Sequence, residues 1–220
     1  MGEVQGPPPG ARFVLVNPGG TRVASPWIYA GEAVPRSRVQ DIYFVGKLKA
    51  PRKYHLHAFV LAREDDPDAL YLVAFDVRKR GDDQSGSRYY YATVNLRWGL
   101  CAKIGRSDYI CPTRAAADMI RGFVDRVVLV PVRPFDPLED VEVREAFRAL
   151  VLELADELRR AAKVGRREVV DRARALVEGP EGRRLADIYG GRLIRPLADA
   201  VAEATEVLSR GGVKEAHSEG

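Results

Sequence analysis

The chain has 220 residues, of which 46% are hydrophobic and 30% charged, and 35 Lys and Arg against 31 Asp and Glu give a formal net charge of +4. That length can bury a core as one large domain or one domain with an appendage, and the composition excludes a wholly disordered chain. No apolar run reaches the ~20 residues of a membrane helix, and MGEVQGPPPG lacks the basic and apolar regions of a secretory leader, so a cytoplasmic protein is expected.

Charge is unevenly placed. Residues 1–135 hold 20 Lys and Arg against 13 Asp and Glu, a balance of +7, while residues 136–220 hold 15 against 18, a balance of −3. Such an asymmetry suggests a polyanion-binding part joined to one with another task. The amides are Gln5, Gln40, Gln84, Asn17 and Asn95 alone. Few thermolabile residues beside many charges is the trend of thermophile proteins. Cys101 and Cys111 do not form a CxxC pair, which argues against structural zinc. Two reduced thiols and a disulfide both stay open, because thermophile cytosols tolerate bridges that others do not.

Residues 1–11, rich in Gly and Pro, predict a disordered arm. Pro18, Gly19, Gly20, Pro26, Gly31 and Pro35 predict loops around short strands from about 17 to 40. Four strands are then predicted at 41–49, 53–62, 69–79 and 88–98, the second and third joined across Asp65, Asp66, Pro67 and Asp68 and the third and fourth across GDDQSGS. An antiparallel meander follows. Thr113 is placed to cap a helix in RAAADMIRGFVDR that lines up Ile120, Phe123 and Val124. RVVLVPVRP is one more strand, which Pro131 would confine to an edge or an end.

From about 138 the period changes to that of helices. Val143, Phe147, Leu150, Leu154, Leu158 and Ala161 recur at three- and four-residue steps. Further helices are predicted at about 166–178 and 193–209, the last stopping at Gly211–Gly212. The expected organisation is an α+β fold: a disordered arm (1–11), a β-rich domain with a flanking helix (12–137), a helical packing or oligomerisation region (138–212) and a flexible tail (213–220). The helical stripes can fold back on the sheet, or join protomers into a homodimer or tetramer.

Alternation along the predicted strands divides each into two faces. One set gathers Tyr43, His57, Phe59, Tyr89 and Tyr91 with Lys47, Lys49, Asn95 and Arg97, and Arg88 stands at the start of the last strand. Rings beside cations suit single-stranded DNA or RNA, since any base stacks on a ring while Lys and Arg follow the phosphates. The same rings would serve as core if helices covered that face. His55 and His57 form a His-hydrophobe-His pair like the metal motif of replication-initiator and relaxase nucleases, but no tyrosine is followed three residues later by Lys, and no third ligand is evident. A metal-dependent nuclease is therefore the alternative, and a subunit of a larger assembly, with the rings as a protein interface, a further one. No Walker loop, G-x-G-x-x-G or G-x-S-x-G occurs, and no cofactor is implied. NPGGTR at 17–22 and the acidic run at 65–68 are turn compositions first.

A basic, ring-bearing β-rich part followed by oligomerising helices resembles, in layout, the ThermoDBP-related single-stranded DNA-binding proteins of thermophilic archaea. The resemblance implies a sheet and flanking helices forming a cleft for single-stranded DNA or RNA, with C-terminal helices joining protomers. No residue role is carried over from it.

Overall fold

A computed structural model describes residues 12–16, 27–30, 57–77, 85–104, 108–134 and 137–215. Its strands are β1 (Arg12–Val16), β2 (Trp27–Ala30), β3 (His57–Leu61), β4 (Leu70–Asp76), β5 (Ala102–Lys103), β6 (Asp108–Cys111) and β7 (Arg126–Pro134). Its helices are α1 (Ser85–Arg97), α2 (Arg114–Asp118), α3 (Pro137–Lys163), α4 (Arg167–Glu178), α5 (Pro180–Tyr189) and α6 (Gly191–Glu215). The fold is α+β, with helices flanking an antiparallel sheet and a helical C-terminal region. No helix among the described residues is long and apolar enough to cross a membrane.

The seven strands are ordered β2-β1-β3-β7-β4-β6-β5. β3 and β4, predicted to be neighbours, are therefore parted by β7, which pairs with both. Pro131 was expected to confine that strand to an edge or an end; instead β7 runs inside the sheet, with Pro131 opposite Tyr71. The Pro131 carbonyl accepts from the Ala62 N–H at 3.0 Å, so it faces the β3 side. On a strand the N–H and C=O of one residue share a side, which puts the missing donor opposite Ala62, one residue past Leu61↔Val132, the last strand pair of β3. The proline thus costs the sheet no interior bond.

Both faces of β4 are covered. Leu70 and Leu72 join Phe59 and Val132 in a core shared with Phe147 and Leu154 of α3. Val73 and Phe75 join Ala92 and Leu96 of α1 and Ala116 and Ile120 from α2 and the turn after it. A strand buried on both sides loses its polar/apolar alternation, which is why the sequence leaves its two faces indistinguishable. The α3 stripe is buried against the sheet and α6, each large residue contributing roughly 1.5–3 kcal/mol by leaving water. Folding back therefore uses up the stripe that could have joined protomers.

Thr113 caps α2 as expected, accepting from the Ala116 N–H at 3.1 Å. The helix itself ends at Asp118, with Ile120 and Phe123 carried on turns beyond it. α5 was not expected; Pro180 at its first turn both ends α4 and starts it. α6 runs through the expected stop at Gly211–Gly212 to Glu215. The acidic run joining β3 to β4 is held by arginines: Asp66 pairs with Arg133 at 3.2 Å, and Arg184 donates to the carbonyls of Asp66 and Ala69. The expected arm at 1–11, the strand at 41–49, NPGGTR and the tail beyond 215 lie outside the described residues.

Cys101 and Cys111 form a disulfide, with Cα atoms 4.0 Å apart and both residues buried. They flank the Ala102↔Ile110 pair and tie the last two strands of the sheet together. Closing a loop at a sequence separation of 10 removes unfolded-state entropy equivalent to roughly 2–3 kcal/mol. Replacing both cysteines by Ala should therefore lower Tm by roughly 5–10 °C in calorimetry; an unchanged Tm would show the bridge to be dispensable.

Candidate nucleic-acid interface

The predicted strand 88–98 is a helix, α1. Two periods compete in RYYYATVNLRW, and both place Ala92 and Leu96 on one side, because a four-residue step returns to the same face of a strand and of a helix. Within the helix Thr93 Oγ1 donates to the Tyr90 carbonyl at 2.8 Å and Asn95 Nδ2 to the Tyr91 carbonyl at 2.9 Å, bonds that satisfy these side chains without adding to helix stability. The end is a Schellman turn in which the Cys101 N–H reaches the Leu96 carbonyl and the Leu100 N–H that of Arg97. Leu100 takes the left-handed position, with φ 55°, that Gly usually fills. Its fully buried side chain holds it there.

The helix redistributes the predicted face. Tyr89, expected outward, is half-buried and packs on Phe75 with ring centroids 5.6 Å apart. Tyr91 remains exposed at 52%, and Tyr90, assigned to the core by alternation, is 62% exposed. Their rings meet edge to face at 5.7 Å, and Tyr91 leans on Phe123 at 5.9 Å. Phe59, expected to stack on bases, is fully buried in the core beneath the C-terminal helices. The face assignment of β3 is thus reversed at that residue, the failure to which a period-2 pattern is prone.

The cations are placed differently too. Arg88 forms a two-pronged pair with Asp125 at 3.1 and 3.2 Å. Arg97 pairs with Glu157 and lies 3.7 Å from Glu153, both on α3. Asn95 spends its amide on the helix backbone. Tyr43, Lys47, Lys49 and His55 lie outside the described residues, and of His57 only the backbone is described, paired with Val16. Among the described residues no three His, Cys, Asp or Glu side chains are grouped to hold a metal.

Between α1 and α3 lies a cleft of about 300 Å³, floored by β5 and β6. Thr93, Val94 and Arg97 line one wall and Ala146, Ala149, Leu150 and Glu153 the other, with Lys103 and Tyr109 between. Tyr90, three residues before Thr93 and four before Val94, stands on the same helical face. Burial, helped by the nearby Tyr89 and Asp108, pushes the Tyr109 phenol above the usual range, so it stays a neutral hydroxyl. Alternation hid this site, because it joins α1 to a helix more than forty residues on; the helical stop at Gly99–Leu100 was the signal that could have exposed it.

No family model matches the chain, nor does any curated protein or solved structure.

The Arg88–Asp125 pair, with side chains 23% and 11% exposed, anchors α1 to the start of β7. Arg88→Ala should cost roughly 1.5–3 kcal/mol, the worth of hydrogen bonds to a charged group, as a lower urea midpoint at unchanged slope. A midpoint equal to wild type would return Arg88 to the surface cations.

Proposed function

We propose that the protein binds single-stranded DNA or RNA, without catalysis and with stacking as the main source of affinity, through the outer side of α1 rather than through a face of the sheet. The observation that carries this reading is the exposed pair Tyr90 and Tyr91, edge to face and backed by Phe123. Two large rings standing in water on a rigid helix gain little for the isolated fold, whereas bases stack on them at roughly 1–3 kcal/mol each. Lys103, exposed on β5, and the basic balance of residues 1–135 supply charge for phosphates. Similarity of layout to the ThermoDBP-related proteins supports the same reading, as does the scarcity of amides for a cytoplasmic protein of a thermophilic archaeon.

Binding of a labelled oligonucleotide, followed by anisotropy at several salt concentrations, tests it. Single strands should bind more tightly than duplex, with affinity falling steeply as salt rises. Tyr90→Ala and Tyr91→Ala should each weaken binding by roughly 5- to 150-fold. Equal affinity for duplex, or affinity indifferent to salt and to both substitutions, overturns the proposal.

The proposal extends to a homodimer or tetramer joined by C-terminal helices, through a surface other than the buried stripe. Leu138, Val141 and Leu152 are exposed along one side of α3, opposite Phe147 and Leu154. Val141→Glu with Leu152→Glu should turn the oligomer into a monomer in sedimentation; a wild-type protein that already sediments as a monomer refutes the association.

A further inference from the structure

The cleft between α1 and α3 is a built cavity that stacking on Tyr90 and Tyr91 leaves unexplained. Its volume of about 300 Å³ is at the small end of ligand sites, room for one ring system and not for a run of strand. Val94, Ala146, Ala149 and Leu150 give it apolar walls, and the two alanines keep α3 from filling the space opposite α1. Two opposite charges meet at its edge, Arg97 Nε and Glu153 Oε2 at 3.7 Å, while Arg97 Nη1 donates to Glu157. Glu153 is 69% exposed, so its carboxylate is open to a second partner. Thr93 has its proton committed to the Tyr90 carbonyl, which leaves its oxygen as an acceptor.

A carboxylate beside a guanidinium discriminates among bases by hydrogen-bond pattern. Guanine presents two adjacent donors, N1–H and N2–H, next to the acceptor O6, so one carboxylate can take two parallel bonds while a neighbouring cation donates to O6. Uracil and thymine offer a single N–H on that edge, and cytosine and adenine place an acceptor, N3 and N1, where guanine has its N1–H, and no donor where it has its N2–H. We propose that the cleft receives one guanine base of the bound strand, with Glu153 accepting from its N1–H and N2–H and Arg97 donating to O6. This rests on the proposed single-strand binding and adds a base preference to it. Tyr90, on the same helical face as Thr93 and Val94, then stacks on the neighbouring base, and Lys103 meets the adjoining phosphate.

The test compares an all-dT oligonucleotide with the same oligonucleotide carrying one central dG, dA or dC, alongside titration with GMP, AMP, CMP and UMP. The dG oligonucleotide should bind roughly 5- to 150-fold more tightly than the others, the discrimination of a two-bond base contact, and GMP should be the preferred mononucleotide. Ala149→Trp, at an exposed position on the cleft wall, and the conservative Glu153→Gln should each bring the dG oligonucleotide down to the level of the all-dT one. Equal affinity for all four bases, with binding still dependent on Tyr90, overturns the guanine site and leaves single-strand binding standing. A preference that survives both variants places the base elsewhere and equally overturns it. If no oligonucleotide binds, single-strand binding fails, and the cleft is decided by GMP alone: GMP binding lost in both variants sustains it, and no GMP binding overturns it.

Discussion

Covering both faces of β4 is the constraint from which the rest of the structure follows. Leu70 and Leu72 point into one core and Val73 and Phe75 into the other. A strand with two apolar faces has to sit inside a sheet, and that sheet has to be roofed on both sides. α3 and the helices after it form one roof; α1 with α2 forms the other. The insertion of β7 between β3 and β4 serves the same end, giving β4 a full-length partner from Leu70 to Asp76. Pro131 tolerates that place because its missing donor falls beyond the end of β3.

Roofing the sheet moves the ring-bearing surface. An open sheet face could have offered a flat platform, but Phe59 is core and Tyr89 is engaged with Phe75. What reaches water is the far side of α1, where Tyr90 and Tyr91 stand clear. That side is continuous with the cleft, whose floor is fixed by the disulfide and whose mouth is bounded by the Arg97 and Glu153 pair. Covalent closure of β5 onto β6 and the Schellman turn at Leu100 act on the same few residues. They hold the end of α1, the cleft floor and the edge of the sheet in one rigid arrangement, which a binding site of this size requires.

The ion pairs follow the same division. Arg88 and Arg97, both expected as phosphate contacts, turn on the helix to different neighbours, Asp125 and Glu157. Each pins α1 to a different part of the chain. The surface left for a polyanion is thus set by which cations the fold consumes, not by their number in the sequence.

Residues alone determined the elements with a single unambiguous period: the long helix on Val143, Phe147, Leu150, Leu154 and Leu158, the helix that became α4, the Thr113 cap, and the α+β class. In those segments one periodicity satisfies both local preference and burial. The strand at β4 was legible, but not its faces, because burial on both sides erases alternation. Tertiary structure alone decided that RYYYATVNLRW is helical, since Ala92 and Leu96 fit either period and only packing against Val73 and Phe75 distinguishes them. It likewise decided that β7 parts β3 from β4, that Cys101 meets Cys111, and that a cleft opens between α1 and α3. Each of these joins residues distant along the chain, and pairing at a distance is fixed by the burial of all the elements at once, which no local pattern encodes.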